Sequence, residues 1–120
     1  MKILYLTISR KWFDMIKSGE KKEEYREDVP FYQSRLICQT DEQLEDSYDL
    51  IYGGNIVGGV SELAIQKMRL YDYLELRNGY SKNARKIRLK NPRVRYDYGK
   101  PEWGAEPGKI YFVITWEDDK

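Results

Sequence analysis

Two nearly unbroken apolar runs stand at opposite ends of the chain, Lys2 to Ile8 and Ile110 to Trp116. Runs that do not alternate with polar residues are the mark of strands covered on both faces. They predict a sheet in which the two termini pair centrally, with barrel closure bringing them together. The 120 residues leave room for one domain, residues 1–120. A chain of that size hides about two-thirds of its extended surface on folding, which is enough for one core.

Short helices and further strands fill the interval, so the fold class expected is α+β. Ser9 stands where it can cap a helix from Arg10 to Ser18, with Trp12 and Ile16 as an i, i+4 pair on its buried face. Gly19 then reads as the residue past the helix end that takes positive φ without steric cost. A strand from Lys22 to Arg26 and one or two helical turns over Pro30–Leu36 follow. Residues 38–60 open with Asp41, Glu42, Glu45, Asp46 and Asp49 and continue into the pairs Gly53-Gly54 and Gly58-Gly59, which reads as an insertion or lid. Within it, Leu50-Ile51-Tyr52 and Ile56-Val57 suit a short hairpin around Gly53-Gly54-Asn55. Ser61 to Met68 has the pattern of a capped two-turn helix.

Leu70 to Arg77 reads as a strand with Leu70, Leu74 and Leu76 inward and Tyr71, Tyr73, Glu75 and Arg77 outward, and Asn78-Gly79 is a turn signal. Beyond the turn, Lys86, Arg88 and Lys90 alternate with Ile87 and Leu89. Val94 has the opposite parity to Ile87 and Leu89, so keeping both apolar sets inside requires a break, and Asn91-Pro92 is where proline permits a bulge. With that break, Arg93 and Arg95 rejoin the outward row.

Absences narrow the chemistry. The chain has no histidine and a single cysteine, Cys38, so serine-histidine and cysteine-histidine catalysis, histidine-ligated metals, disulfides and thiolate metal sites are all excluded. Neither a phosphate-cradling Gly-x-x-x-x-Gly-Lys-Ser/Thr loop nor the dinucleotide fingerprint occurs. The expectation is therefore no metal and no cofactor. No apolar run reaches bilayer length, and the opening residues are too short and strand-like for a secretion signal, so a cytoplasmic protein without a membrane partner is expected. From Arg77 to Lys100, nine basic residues face the single acid Asp97, a net of +8 in a chain whose total is +1. The remainder carries −7, a division that suggests one polyanion-facing side and one solvating side.

The densest chemistry lies in Gly19-Glu20-Lys21-Lys22-Glu23-Glu24-Tyr25-Arg26. Alternate residues of a strand share a face roughly 6.5 to 7 Å apart, so Glu24 and Arg26 lie together with Lys21 entering from the turn. Two cations would flank one carboxylate. The same spacing also suits an exposed, charge-dense turn whose ion pairs contribute about 0 to 1 kcal/mol each. The outward file Lys86, Arg88, Lys90, Arg93, Arg95 repeats at about 7 Å and could track a nucleic-acid backbone. Tyr71, Tyr73, Tyr80, Tyr96, Tyr98 and Trp103 lie in or beside that region as stacking faces for unpaired bases. Equally, tyrosines fill strands and lysines keep strand edges from aggregating.

The pattern Gly-x-Lys-x-x-Glu-x-Arg, filled by Gly19, Lys21, Glu24 and Arg26, resembles the ASCH family of small domains with a PUA-like mixed β-barrel and short flanking helices. Arg77-Asn78-Gly79-Tyr80 and Gly99-Lys100-Pro101-Glu102-Trp103-Gly104-Ala105, followed by the closing strand, are similar to a subgroup of that family often found in phage and bacterial genomes. The likeness spans residues 1–35 and 70–116. It implies binding of RNA or a nucleotide-like ligand through Lys21, Glu24 and Arg26 and the strand residues Arg88, Lys90, Arg93 and Arg95. Arg77, Tyr80, Lys100, Glu102 and Trp103 form a second tier, Trp103 as a stacking platform or as a plug for the barrel's open end. Some relatives that hydrolyse acylated cytidine use lysine in this turn with a hydroxyl residue three positions later. That position is Glu24 here, as in the broader family consensus. The alternative expectation is thus a small hydrolase acting on a modified nucleobase or on RNA, with Lys21 as base and Glu24 as its partner. A third is an interaction module whose acidic segment, 38–60, covers the cleft until displaced.

Overall fold

The computed structural model describes residues 1–49, 51–52 and 67–117. Along the chain these form β1 (Ile3–Thr7), α1 (Arg10–Lys17), β2 (Glu24–Arg26), α2 (Pro30–Leu36), α3 (Asp41–Leu44), β3 (Ser47–Asp49), β4 (Ile51–Tyr52), β5 (Lys67–Arg69), β6 (Tyr73–Arg77), β7 (Lys86–Tyr98), a 3-10 turn at Pro101–Trp103, and β8 (Ile110–Glu117). The domain is α+β. Its main sheet is mixed, in the order β1-β6-β7-β8-β2, with β4 beside β7, while β3 and β5 pair separately.

The terminal strands do not pair with each other. β1 runs parallel to β6, with Leu4 opposite Leu74 and Leu6 opposite Leu76, and β8 lies between β7 and β2. A local clasp starts the parallel ladder: the Lys2 amide donates to the Asp72 carboxylate at 2.8 Å, and the Asp72 and Tyr73 amides donate back to the Lys2 carbonyl. β8 fulfils the expectation of burial on both faces. Phe112 and Ile114 enter the main core, while Tyr111 and Val113 pack on the other side with Ala105 and Tyr25. β1 does not fulfil it, because Leu4 and Leu6 are buried but Tyr5 faces out.

The described strands form an open path whose ends are β1 and β2, with no ladder joining them. Leu4, Leu6, Phe13, Ile16, Leu74, Leu76, Val94, Phe112 and Ile114 make the centre of the core. Each such side chain stabilises the fold by about 1.5 to 3 kcal/mol relative to exposure.

β7 breaks where proline and parity required. Its register against β8 shifts between Lys90 and Arg93, and Asn91 takes φ +50°. Before the shift β7 pairs with β6; after it, that role passes to β4. Val94 is accordingly buried. Two neighbouring expectations change. The strand at Leu70 begins only at Tyr73, so Tyr71 turns into the core and its hydroxyl donates to the Arg35 carbonyl. Lys67 and Met68, expected to end a helix, belong to β5, where Met68 is fully buried between Tyr48 and Ile37 as strand partners. Residues 61–66 of that helix, and the hairpin around Gly53-Gly54-Asn55, lie outside the described residues; Ile51–Tyr52 joins β7 in parallel. No helix among the described residues is long and apolar enough to cross a membrane.

Candidate functional site

The amphipathic helix α1 sets the site. Phe13 and Ile16 are buried, Trp12 lies half-buried at the edge of the core, and the chain then leaves the helix through Gly19 at φ +86°. Ser9 occupies the N-cap position, although its side chain makes no capping bond. The left-handed glycine lets the backbone double back, so the Gly19 amide donates to Ile16 O at 3.1 Å and the Lys21 amide to Met15 O at 2.9 Å. That return carries the Lys21 side chain inward, leaving it 1% exposed.

On β2, Glu24 and Arg26 share a face as strand periodicity requires. Glu24, 5% exposed, is the hub of the group. Its Oε1 accepts from Lys21 Nζ at 3.0 Å and from the Tyr25 amide at 3.1 Å, and its Oε2 accepts from Arg26 Nη2 at 2.9 Å. Lys21 Nζ also donates to Trp103 O at 2.8 Å and stands 4.4 Å from the Trp12 ring centroid. Arg26 reaches further: Nη2 donates to Thr7 O and Nη1 to the Tyr32 hydroxyl, each at 3.0 Å, while its buried Nε has no partner among the described residues. The guanidinium of β2 thus touches the last residue of β1, linking the two ends of the open sheet through a side chain.

Burial pulls the Lys21 pKa down, and the charge and hydrogen bond of Glu24 only partly oppose it. For Arg26, burial also works against the charged form, but the Glu24 carboxylate and Tyr32 hydroxyl outweigh it and the pKa rises. Burial likewise raises the Tyr25 phenol.

These groups open onto a cleft of about 410 Å³ whose walls include Thr7, Ser9, Trp12, Tyr25, Tyr32 and Trp103. Gly104 is part of the wall for a steric reason. At φ +102°, a Cβ there would stand 2.9 Å from the Trp12 ring. Of the acceptors in the buried group, both Glu24 oxygens are already engaged. The buried group therefore offers the cleft cation-held donors beside aromatic faces, and the other carboxylate on the wall, Glu27, accepts from Lys109 at 2.8 Å.

Lys21, Glu24 and Arg26 converge as the spacing implied, and Trp103, expected as a stacking platform or a plug, joins them through its carbonyl, while Lys100 Nζ sits 4.4 Å from the centroid of its ring. The rest of the second tier is elsewhere. Tyr80 is 90% exposed, Glu102 faces solvent, and Arg77, on β6, donates to Ser81 O at 3.4 Å and stays outside the cleft's lining. The basic row is not one file. Arg88 and Lys90 line a groove that also includes Lys21, whereas Arg93 and Arg95 line a different concavity with Tyr48, Val94 and Thr115. The register shift between Lys90 and Arg93 is the physical cause. Part of the charge is also matched: Arg88 pairs with Glu75 at 3.0 Å, and Arg95 pairs with Glu23 at 2.6 Å and Asp97 at 3.0 Å.

Periodicity places Trp12 only in the core and does not single out Tyr25, Tyr32, Thr7, Ser9 or Gly104. The one signal for Trp12 is its place on the helix face beneath which the Gly19 turn folds. Cys38 is half-buried, with its thiol donating to Gln43 O at 3.6 Å. Residues 38–49 belong to α3, β3 and their connections, and none of residues 38–48 lines the cleft. Among the described residues no cluster of histidine, cysteine, aspartate and glutamate could hold a metal ion.

No protein-family model, curated protein or solved structure matches this chain.

Proposed function

We propose that the cleft binds RNA or a nucleotide, taking a nucleobase against its aromatic walls while the Lys21–Glu24–Arg26 group fixes the polar end of the site. One observation carries this reading: a buried lysine and a half-buried arginine, each bonded to the buried Glu24, face a concavity walled by Trp12, Tyr25 and Tyr32. Burying two cations and a carboxylate costs several kcal/mol per ion before their attraction is counted, an outlay that favours a site over a merely structural turn. The resemblance to ASCH domains supports the same reading, and with it a PUA-like architecture, a comparison favoured by the approach of β2 to β1 through Arg26.

Binding of a fluorescein-labelled oligouridylate of about eight nucleotides, within the usual site size of single-strand binders, tests the proposal. Affinity is expected to fall with salt, and Trp12→Leu to weaken binding roughly 5- to 100-fold, the range for removing one base stack. Unchanged affinity in both Trp12→Leu and Arg26→Gln, with folding intact by circular dichroism, would remove the cleft from consideration.

A second reading, hydrolysis of an acylated nucleobase or of RNA, is favoured by the lowered pKa of Lys21. Against it, Nζ donates to both Glu24 and Trp103 O, roles that suit an ammonium more than a base. Turnover of acylated cytidine by the wild type and its loss in Lys21→Ala would establish this activity; equal or absent turnover in both proteins would dismiss it.

A further inference from the structure

Arg26 fixes the polarity of its neighbour on the cleft wall. Its Nη1 donates to the Tyr32 hydroxyl at 3.0 Å, and a guanidinium has donors only, so the phenolic oxygen is the acceptor in that bond. The Tyr32 proton is thereby turned away from Arg26 and needs an acceptor of its own. Among the described residues it finds none, and the bond from Arg26 is the one hydrogen bond of this hydroxyl. Both residues line the cleft. The acceptors nearby are already in use. Glu24 Oε1 takes Lys21 Nζ and the Tyr25 amide, Oε2 takes Arg26 Nη2, and the Thr7 and Trp103 carbonyls take Arg26 Nη2 and Lys21 Nζ.

Tyr32 is also held in place. It stands in the first turn of α2, where its amide donates to Val29 O at 3.0 Å. The Phe31 ring meets its ring edge-on with centroids 5.0 Å apart, and the Arg35 guanidinium lies 3.5 Å over Phe31. A half-buried phenol braced in this way, with its proton directed by Arg26, is an oriented donor before any ligand arrives.

We propose that Tyr32 determines the specificity of the cleft by donating to a carbonyl oxygen of the base, so that the ligand is an oxo-bearing nucleobase such as uracil. The proposal rests on the cleft reading and adds to it the group that the base must carry. The cations of the wall, Lys21 and Arg26, are both paired with Glu24, which leaves the neutral phenol as the donor in need of a partner. A neutral carbonyl suits that donor better than a charged phosphate oxygen does. A base that placed an amino group against Tyr32 would set donor against donor, and both would lose their hydrogen bonds to water without replacement.

The test pairs a change in the ligand with a change in the protein. Labelled oligouridylate is compared with the same oligomer built from 4-thiouridylate and from 2-thiouridylate, in which sulfur, a weak acceptor, replaces one carbonyl oxygen. The wild type is expected to bind one of the two thio oligomers about 3- to 10-fold more weakly than oligouridylate, the range for one neutral hydrogen bond. Tyr32→Phe removes the hydroxyl alone. It is expected to bind oligouridylate more weakly by the same factor, and to bind all three oligomers within about twofold of one another. Infrared spectra of the complexes supply a second readout. With a heavy oxygen isotope placed at each carbonyl in turn, the stretch of the carbonyl that Tyr32 reads should lie lower in the wild-type complex than in the Tyr32→Phe complex, a shift that a merely structural role would not produce.

The two proposals fail differently. Oligouridylate binding that Trp12→Leu weakens, while the wild type and Tyr32→Phe rank the three oligomers alike, would discard the Tyr32 donor and retain the cleft. Equal weakening of all three oligomers by Tyr32→Phe would assign the hydroxyl to the sugar-phosphate backbone and overturn the reading of the base. Binding that neither Trp12→Leu nor Arg26→Gln alters, or no binding at all, would remove the cleft and the Tyr32 proposal with it.

Discussion

Glu24 neutralises a buried and a half-buried cation, so the three members of the group are not equivalent under substitution. Glu24→Ala strands Lys21 and Arg26 without their carboxylate and is expected to cost about 3 to 5 kcal/mol, read as a lower urea midpoint. Lys21→Met leaves Glu24 still paired with Arg26 and frees one carbonyl, Trp103 O, so the loss expected is smaller, on the order of 1 kcal/mol. Equal losses in the two variants would mean that Glu24 is not the hub. The same lysine makes a pH prediction. Its folded pKa lies below the ordinary value of 10.5, so at pH below the folded value both states bind the proton and the cost of burying the charge is fully present. Between the folded pKa and 10.5 the unfolded chain binds more protons, and stability rises with pH. Urea midpoints measured through that alkaline window should therefore increase for the wild type relative to Lys21→Met; a flat difference would show that Lys21 keeps its ordinary pKa.

At the scale of elements, β7 shows what alternation can and cannot reveal. The opposite parities of Leu89 and Val94 around Asn91-Pro92 were enough to locate the register shift, because side-chain period in a strand leaves no other way to bury both. The partners of each arginine were not legible. Arg95 meets Glu23, whose place is set by β2 lying two strands away, across β8. Arg95→Gln is expected to cost about 1 to 3 kcal/mol, since Glu23 and Asp97 lose a half-buried partner. Lys86→Gln, on the exposed first half of the strand, should stay within about 0.5 kcal/mol. Thermal or urea unfolding of the pair checks this, and similar costs for both would mean that the Arg95 pairs contribute nothing. The turn after α1 was legible for a different reason: glycine at a helix end has one common use, and φ +86° at Gly19 is that use.

Across the whole molecule, the open ends of the sheet are tied by Arg26, whose Nη2 bridges Glu24 on β2 and Thr7 on β1. Arg26→Met is expected to lower amide-exchange protection in β2 and at the end of β1, while β6 and the first half of β7, held by their own ladder, retain theirs. Uniform loss throughout the sheet would instead mean that Arg26 contributes to global stability alone. The α+β class, the strand at each end, helices α1 and α2, the bulge and the convergence of Lys21, Glu24 and Arg26 all followed from local rules of periodicity and turn chemistry. Those rules act over short stretches of chain, so one sequence suffices to apply them. Which strands pair is a contest among distant segments. The Lys2 amide is bonded to the Asp72 carboxylate where β1 runs beside β6, and β8 lies between β7 and β2. The aromatic walls of the cleft, the partner of each arginine and the groove that shares Lys21 depend on that outcome, because they bring together side chains such as Trp12 and Gly104, or Lys17 and Arg88, whose proximity only the packed chain can decide.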